Sequence, residues 1–316
     1  MCLAVPAPIA PVRPTPEKTV KPHLIRRLSR LSVPPLLAAG LLGTCASLPA
    51  RGSDDSAATV GHSPGSMRST LWSSEAVWTS AAPEDLDDPK KKELAMRLLS
   101  SAENSSLDWK AQYGYIEDIN DGCGYTAGIV GFCSATGDML QLVEDYTARK
   151  PSNPLAKYLP ALRAVKGSPS HKGLDPGFPK AWKKAAKDKT FQKAQRRWRD
   201  RLYFKPAVSQ AKKDGLRSLG QFAYFDAAVM HGKSGLMSIR SAAKKRAKTP
   251  AQGGNETKYL RAFLDARVKS MRKRNPKTDT SRVDTAQRVF LEDGNLDLDT
   301  PLTWHVYGDK FHIKRL

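Results

Sequence analysis

The sequence contains few of the residues from which metal centres are built. Its 316 residues include four cysteines and six histidines, with no Cys-x-x-Cys pair, and the histidines stand singly along the chain. Because zinc sites and redox motifs need such ligands at short spacing, the sequence predicts neither a metal ion nor a cofactor. The sequence also shows no internal repeat.

The sequence also lacks an apolar run of the roughly 20 residues that a membrane-spanning helix needs. The short apolar stretch at residues 36–42 follows the paired Arg26 and Arg27 and precedes the small residues of 46–50. This order is typical of an export signal of the Sec or twin-arginine type, cleaved near residues 46–50. We therefore expect residues 1–50 to be a signal peptide, the mature protein to be secreted and extracellular, and no stable membrane association.

Two further parts of the chain are expected after the signal. Residues 51–86 are rich in Ser, Gly, Ala and Asp without apolar periodicity, which predicts a disordered linker. The folded domain is expected at 87–316. With 40% hydrophobic residues in the whole chain, this domain can build one sizeable core or two lobes around a cleft.

Apolar residues of the folded part recur mostly at helical spacing. Asp88 followed by Pro89 predicts the start of a helix toward Asn104, and residues 136–138 predict the start of another. Strand signals occur at 113–119 and 125–132, around a turn at 120–124. Further helices are predicted over about 154–165, 178–203, 206–230, 255–273 and 280–290. The predicted fold class is α+β, mainly α, with a small β-sheet or hairpin.

Positive charge exceeds negative charge by a wide margin. Lysine and arginine number 52 against 31 acidic residues, a net charge of +21, which favours anionic partners such as nucleic acid or cell-wall polymers. The lysines, however, concentrate in 179–213 and 244–275, interleaved with apolar positions as on a solvated helix face. Residues 103–138 instead carry six acidic side chains and a single lysine, Lys110. We expect no nucleic-acid partner.

Two of the acidic residues could form a hydrolytic pair. Glycoside cleavage needs one carboxylic acid to protonate the leaving oxygen and a second carboxylate to act as base or nucleophile. Glu103 lies near the end of a largely apolar helix, whereas Asp121 lies in a glycine-flanked turn that keeps it hydrated. From the residues alone, the alternative is two unrelated solvated carboxylates.

A longer pattern gives these residues a context. The run from Ser100 to Met139, SSAENSSLDWKAQYGYIEDINDGCGYTAGIVGFCSATGDM, resembles the catalytic segment of the family 46 chitosanases. The stretches GLRSLGQFAYFDAAVMHG and DTSRVDTAQRVFLEDGNLDLDTPLTWHVYGD continue the resemblance toward the C-terminus. It implies a two-lobed lysozyme-like fold with the small sheet beside the cleft. It also implies a monomeric, cofactor-free endo-hydrolase that inverts β-1,4 linkages in chitosan and glucosamine oligosaccharides.

The resemblance also implies roles for individual residues. Glu103 matches the general acid, Asp121 the general base, and Thr126 a residue that helps to hold the attacking water. Substrate contact is implied for Tyr115, Asp138 and His231, and an ion network behind the acid for Asp226, Arg267 and Arg282.

Each of these residues also has a structural interpretation. Asp138 could simply complement the dipole of its helix. Tyr115 and His231 could be packing residues, and the three network residues could be independent surface charges. Trp109, Trp182 and Trp304 invite a sugar-stacking role, but we expect all three in the core because large aromatics are usually buried.

One departure from the family lies in the catalytic turn. Cys123 stands where close relatives carry an arginine, which removes a cation beside Asp121 and predicts reduced activity. Cys123 and Cys133 could form a disulfide in an oxidising compartment or remain two free thiols, and the sequence does not distinguish these states.

Two other functions fit parts of the sequence. A basic lysozyme-like protein would suit a muramidase-like hydrolase of anionic peptidoglycan. A scaffold weakened at Cys123 would suit a non-catalytic protein that binds anionic polymers, with affinity that falls steeply in salt.

Overall fold

The first helix begins within a few residues of the predicted domain boundary. The structure, a computed structural model, describes residues 85–316, so the predicted export signal and residues 51–84 of the predicted linker lie outside the described residues. Leu86, assigned to the linker from sequence, is fully buried, and its N–H donates to Gln221 Oε1 at 2.9 Å. The packed part of the chain therefore extends at least to Leu86.

Helix α1 starts as its sequence predicts. The Asp88 carboxylate accepts hydrogen bonds from the N–H groups of Lys90 and Lys91, and proline occupies the first helical position. The helices of the described residues are α1 Pro89–Asn104, α2 Asp138–Arg149, α3 Leu159–Ala164, α4 Phe178–Ala185, α5 Lys189–Arg199, α6 Lys205–Lys213, α7 Ser218–Lys244, α8 Glu256–Arg274 and α9 Arg288–Glu292. Single π-helical turns precede α6 at Asp200–Phe204 and α9 at Val283–Gln287.

Two of the predicted helices are divided in the structure. The one predicted at 178–203 is interrupted at Asp188, whose carboxylate caps α5 by accepting from the Thr190 N–H. The one predicted at 206–230 is interrupted at Gly215, whose φ of +78° favours glycine, and then continues to Lys244. Helical periodicity does not register such breaks, because the apolar positions resume in phase after a short turn.

Helix α7 forms the centre of the domain. Its residues 218–229 are all buried, and it packs against α6 and α8. Gly232, with φ +72° and ψ +174°, interrupts its helical geometry one residue after His231. A helix buried on all sides is expected at the middle of a helical core rather than at its surface.

The predicted hairpin is a shorter, three-stranded antiparallel sheet. Its strands are β1 Ile116–Glu117, β2 Thr126–Ala127 and β3 Phe132–Cys133, in that order. The register pairs Thr126 with Glu117 on one side and with Cys133 on the other. Tyr113, expected in a strand, belongs to the 3₁₀ helix Trp109–Gly114. Glycines with positive φ at 122, 124, 128 and 131 bend the chain and keep the strands short.

A second hairpin near the C-terminus was not predicted. Strands β4 Leu302–Val306 and β5 Asp309–Ile313 pair around the turn Tyr307–Gly308. In β4, residues 302, 304 and 306 are buried and 303 and 305 exposed, which is the alternation that could have revealed it. The Tyr307 N–H donates to Ser281 Oγ at 2.9 Å, so this turn lies against the segment that carries Arg282.

The core contains the three tryptophans expected there. Trp109, Trp182 and Trp304 are 5%, 0% and 1% exposed, which confirms that they are packing residues. The observed mix of many helices and a small antiparallel sheet confirms the predicted α+β, mainly α class. Within residues 85–316, no helix is both long enough and apolar enough to cross a lipid bilayer.

Candidate active site

Glu103 lies in the last turn of α1, where the helix ends at Ser105 in a left-handed conformation. Its side chain is only 8% exposed, and its Oε1 lies 2.8 Å from Arg282 Nη2. These two residues are 179 positions apart in the sequence. The direction of the Glu103 carboxylate is therefore set by a distant part of the chain.

Arg282 also contacts a second, deeper carboxylate. Asp226, from the buried part of α7, makes a close contact with Arg282 and accepts from Arg267 Nη1 at 2.6 Å. Asp226, Arg267 and Arg282 are 1%, 0% and 4% exposed, so they are not independent surface charges. Burial opposes ionisation of Asp226, but the charges of Arg267 and Arg282 outweigh it and hold its pKa at about 2.

Gln287 completes this buried network. Its Nε2 donates to Asp226 Oδ2 at 2.7 Å, and its Oε1 accepts from Arg267 Nη1 at 3.2 Å. Gln287 was not predicted from the sequence, because a neutral amide carries no charge signal. Its sequence neighbours, Ala286 and Arg288, give no indication of this role either.

Asp121 lies on a different element, in the turn between β1 and β2. Its Oδ1 accepts from the N–H of Cys123 at 3.0 Å, and the residue is half-buried. Asn120 and Gly122 on either side have φ of +56° and +85°, so the chain bends sharply around it. This geometry presents the carboxylate from a tight local turn.

Thr126 occupies β2 between the two other strands. It is 2% exposed, yet its Oγ1 has no hydrogen-bond partner within the described residues. A buried hydroxyl normally finds a partner, since leaving it unpaired costs about 1–3 kcal/mol. Thr126 therefore offers an unused donor and acceptor.

The two cysteines of this region form a disulfide. Cys123 of the turn is bonded to Cys133 of β3, with their Cα atoms 5.2 Å apart. Both residues are buried, at 1% and 0% exposure. Of the two states that the sequence leaves open, a disulfide or two free thiols, the structure shows the disulfide.

Asp138 is the first residue of α2 and is held by the protein itself. Its Oδ1 accepts from the N–H groups of Cys133 and Met139, at 2.7 and 2.8 Å, and from Thr136 Oγ1 at 2.9 Å. Its Oδ2 accepts from the hydroxyl of Tyr203 at 3.3 Å. Tyr203 is a further residue that sequence reasoning missed, because it lies 65 positions away.

The remaining predicted substrate residues are spread over two elements. Tyr115 precedes β1, and its hydroxyl donates to Glu117 Oε2 at 3.0 Å. His231 lies on α7, directly before the interruption at Gly232.

A cluster of side chains around His171 flanks the Asp121 turn and was not predicted. His171 lies 3.1 Å from Asp118 and 3.2 Å from Asp175. Its ring stacks on Tyr125 with a centroid distance of 4.0 Å. These contacts join the loop before α4 to both ends of the turn.

Seven of the nine predicted site residues fall into two contact groups. The first joins Glu103 to Arg282, Asp226 and Arg267, and the second joins Asp121 to Thr126 and Asp138 through the two cysteines. Two carboxyl groups on separate elements are what glycoside hydrolysis requires. Among residues 85–316, no group of three or more His, Cys, Asp or Glu side chains is arranged to hold a metal ion.

Known proteins match this chain over most of the described residues. Residues 97–302 match the model of glycosyl hydrolase family 46. A chitosanase from Streptomyces sp. (strain N174) is 63% identical over 245 residues, which cover 76% of this chain and 88% of that protein. A chitosanase from Nocardioides sp. (strain N106) is 62% identical over 239 residues, covering 74% and 86%.

The similarity extends to three dimensions. The co-crystal structure of chitosanase OU01 with substrate superposes with a TM-score of 0.71 at 55% identity, over 74% of this chain and 100% of that one. Because structures of this family have the lysozyme-like fold, the match confirms the expected fold.

Proposed function

The chain belongs to glycosyl hydrolase family 46, and from this premise we propose that it cleaves internal β-1,4 linkages of chitosan with inversion at the anomeric carbon. Membership of the family makes it a glycoside hydrolase. The named activity of its relatives, and the substrate complex of one of them, support chitosan as the substrate. The contact between Arg282 and Glu103 is the observation that carries the assignment of the acid.

Glu103 acts as the general acid in this proposal. Arg282 engages Oε1 and orients the carboxyl group, which delivers its proton to the glycosidic oxygen as the C1–O bond breaks. The buried network carries two positive charges and one negative charge, and the residual positive charge stabilises the carboxylate left after proton transfer. Asp226 and Arg267 support the reaction by fixing Arg282.

Asp121 acts as the general base. With Oδ1 bonded by the Cys123 N–H, Oδ2 takes a proton from the water that attacks C1 on the face opposite the leaving group. Thr126 Oγ1, which has no partner within residues 85–316, supplies a hydrogen bond to that water. The products are a sugar of inverted anomeric configuration and a new chain end. Proton exchange with solvent then restores both carboxyl groups.

The charge of the substrate is compatible with this arrangement. Chitosan is a polycation in weak acid, and a chain of net charge +21 repels it at distances up to about the Debye length of 8–10 Å. Closer in, residues 103–138 provide six carboxylates against one lysine. We propose that Asp138, Tyr115 and His231 contact the sugar, and that Asp138 faces an ammonium group.

The proposal also covers location and assembly. The order of charged, apolar and small residues in 1–50 supports secretion of a protein that acts outside the cell on a polymer. We propose that the enzyme works as a monomer and without a cofactor, because the proposed acid, base and water-holding residue all come from one chain.

The test is hydrolysis by the secreted chain and its carboxamide variants. Reducing-end release from highly deacetylated chitosan is measured from pH 4 to 7, beside peptidoglycan hydrolysis. We expect Glu103→Gln and Asp121→Asn each to lower kcat by about 10³-fold, since general acids and bases contribute about 10²–10⁴. Proton NMR of the first product distinguishes inversion from retention.

Matched controls make the outcome specific. Glu144→Gln and Asp293→Asn change carboxyl groups outside both contact groups and are expected to leave kcat within about twofold. A wild-type chain that digests peptidoglycan but not chitosan would replace the proposal with a muramidase. Binding without sugar release would replace it with a non-catalytic function.

A further inference from the structure

We propose that the Cys123–Cys133 disulfide is a positioning element of the active site, which covalently joins the peptide groups that hold Asp121 and Asp138. The N–H of Cys123 donates to Asp121 Oδ1 at 3.0 Å, and the N–H of Cys133 donates to Asp138 Oδ1 at 2.7 Å. The two bonded cysteines therefore each orient a different carboxylate. This inference rests on the proposed roles of Asp121 as base and Asp138 as substrate ligand.

Cys133 is also the cross-strand partner of Thr126. The register of β2 and β3 places these two residues opposite each other. The disulfide thus connects the turn that carries the base to the strand pair that carries the proposed water-holding hydroxyl. The base, the water ligand and the substrate ligand all depend on the position of Cys133.

The turn is held at both ends by the contacts of His171 with Asp118 and Tyr125, but its tip at Gly122 is open. Gly122 and Gly124 adopt φ of +85° and +63°, and a Cβ on Gly122 would meet no atom within 4 Å, so the turn is open on that side. Glycines also give the unfolded turn many conformations. A covalent link between residues 123 and 133 removes most of them.

The disulfide does not act by extending the main core. The two cysteines and Ala135 form a small buried cluster of their own, separate from the main core. The other anchors of Cys123 are hydrogen bonds to its carbonyl oxygen, from Ser134 Oγ at 2.8 Å and Ala135 N at 3.1 Å. They hold the carbonyl of Cys123, whereas the disulfide holds its side chain.

Peptide mapping of the secreted chain without reductant is the first test. We expect a covalently linked peptide pair containing residues 123 and 133. Two free thiols at these positions would overturn the proposal.

Kinetics of the double variant Cys123→Ala/Cys133→Ala are the decisive test. Because displacement of a catalytic group by about 1 Å can cost about 10²-fold, we expect a looser turn to lower kcat on chitosan by about tenfold. Because Asp138 would be less well oriented toward the substrate, KM should rise about threefold. Val208→Ala, which removes buried volume from α6 outside both contact groups, should leave kcat and KM within twofold.

Amide hydrogen exchange supplies a readout that does not depend on turnover. Exchange at residues 121–124 is expected to be at least tenfold faster in the double variant than in wild type, and unchanged in Val208→Ala. Unchanged exchange, or unchanged kcat and KM in the double variant, would overturn the positioning role while the proposed function stood. A wild-type chain that is inert on chitosan would overturn both.

Discussion

Glu103 and Asp121 are held by two different kinds of contact. On the Glu103 side, the contacts are long-range and ionic: Arg282 lies 179 residues from Glu103 and 56 from Asp226, and all the supporting charges are buried. On the Asp121 side, the contacts are local: a backbone N–H two residues away and a disulfide that spans ten residues. The direct contacts of the Glu103 carboxylate come from distant parts of the chain, whereas those of the Asp121 carboxylate come from its own turn.

Because of this difference, changes on the two sides should affect different properties: the stability of the fold on one side and the catalytic rate on the other. A buried charge that loses its partner destabilises the folded state strongly, because it cannot regain its hydration. A surface turn can change its conformation while the core remains intact. Damage to the buried charges behind Glu103 should therefore destabilise the domain, whereas damage on the Asp121 side should leave a stable but slow enzyme.

The largest expected effect on stability comes from Asp226→Asn. The change leaves Arg267 buried without a counter-charge and leaves Glu103 as the remaining carboxylate partner of Arg282, and we expect the free energy of unfolding to fall by about 3–5 kcal/mol. Urea denaturation measures it. The control is Arg261→Ala, which removes an exposed pair with Glu292 and should shift Tm by less than about 1 °C. Equal effects of the two variants would show that the buried network contributes no more to the free energy of unfolding than an exposed ion pair does.

An intermediate effect is expected from pH. The folded-state pKa of Asp226 is about 2 against an ordinary value of 3.8, so its ionisation stabilises the fold above pH 3.8 and this stabilisation is lost as pH falls toward 2. The shift corresponds to about 2 kcal/mol. The difference in unfolding free energy between wild type and Asp226→Asn should therefore narrow by about 1–2 kcal/mol as pH falls from 5 to 2.5. Plots of unfolding free energy against pH that stay parallel for the two proteins would contradict the lowered pKa of Asp226.

The smallest effect is expected at Thr126. Thr126→Val removes the Oγ1 hydroxyl at nearly constant volume, and kcat on chitosan should fall about tenfold, which is about 1.4 kcal/mol of transition-state stabilisation. Tm should stay the same or rise slightly, because the lost hydroxyl has no partner within the described residues. Thr126→Ser keeps the hydroxyl and should retain most activity. A drop in Tm without a change in kcat would make Thr126 a packing residue.

Much of the fold could be predicted from local patterns. Asp88 and Pro89 mark the start of α1, and the apolar spacing after Asp138 marks α2, because caps and helical periodicity act within a few residues. The breaks at Asp188 and Gly215 were missed, since periodicity continues across a short turn. The C-terminal hairpin was missed although its alternation was present in the sequence.

The candidate site likewise contains residues that could be predicted from the sequence and residues that could not. Resemblance to a family brought Glu103, Asp121 and the three network residues to attention, but the contacts of Gln287 and Tyr203 have no counterpart in sequence spacing. Hydrogen bonds across 61 and 65 residues arise only when separate helices pack.

The sequence by itself determined the α+β class, the burial of the tryptophans and the local turn that presents Asp121, because these follow from patterns within a few residues. The tertiary structure decided that Asp226, Arg267 and Arg282 share one buried network and that Cys123 meets Cys133. Charges remain paired in the interior only where the packed chain brings them together, and two sulfur atoms bond only where the backbone places their Cα atoms within about 7 Å.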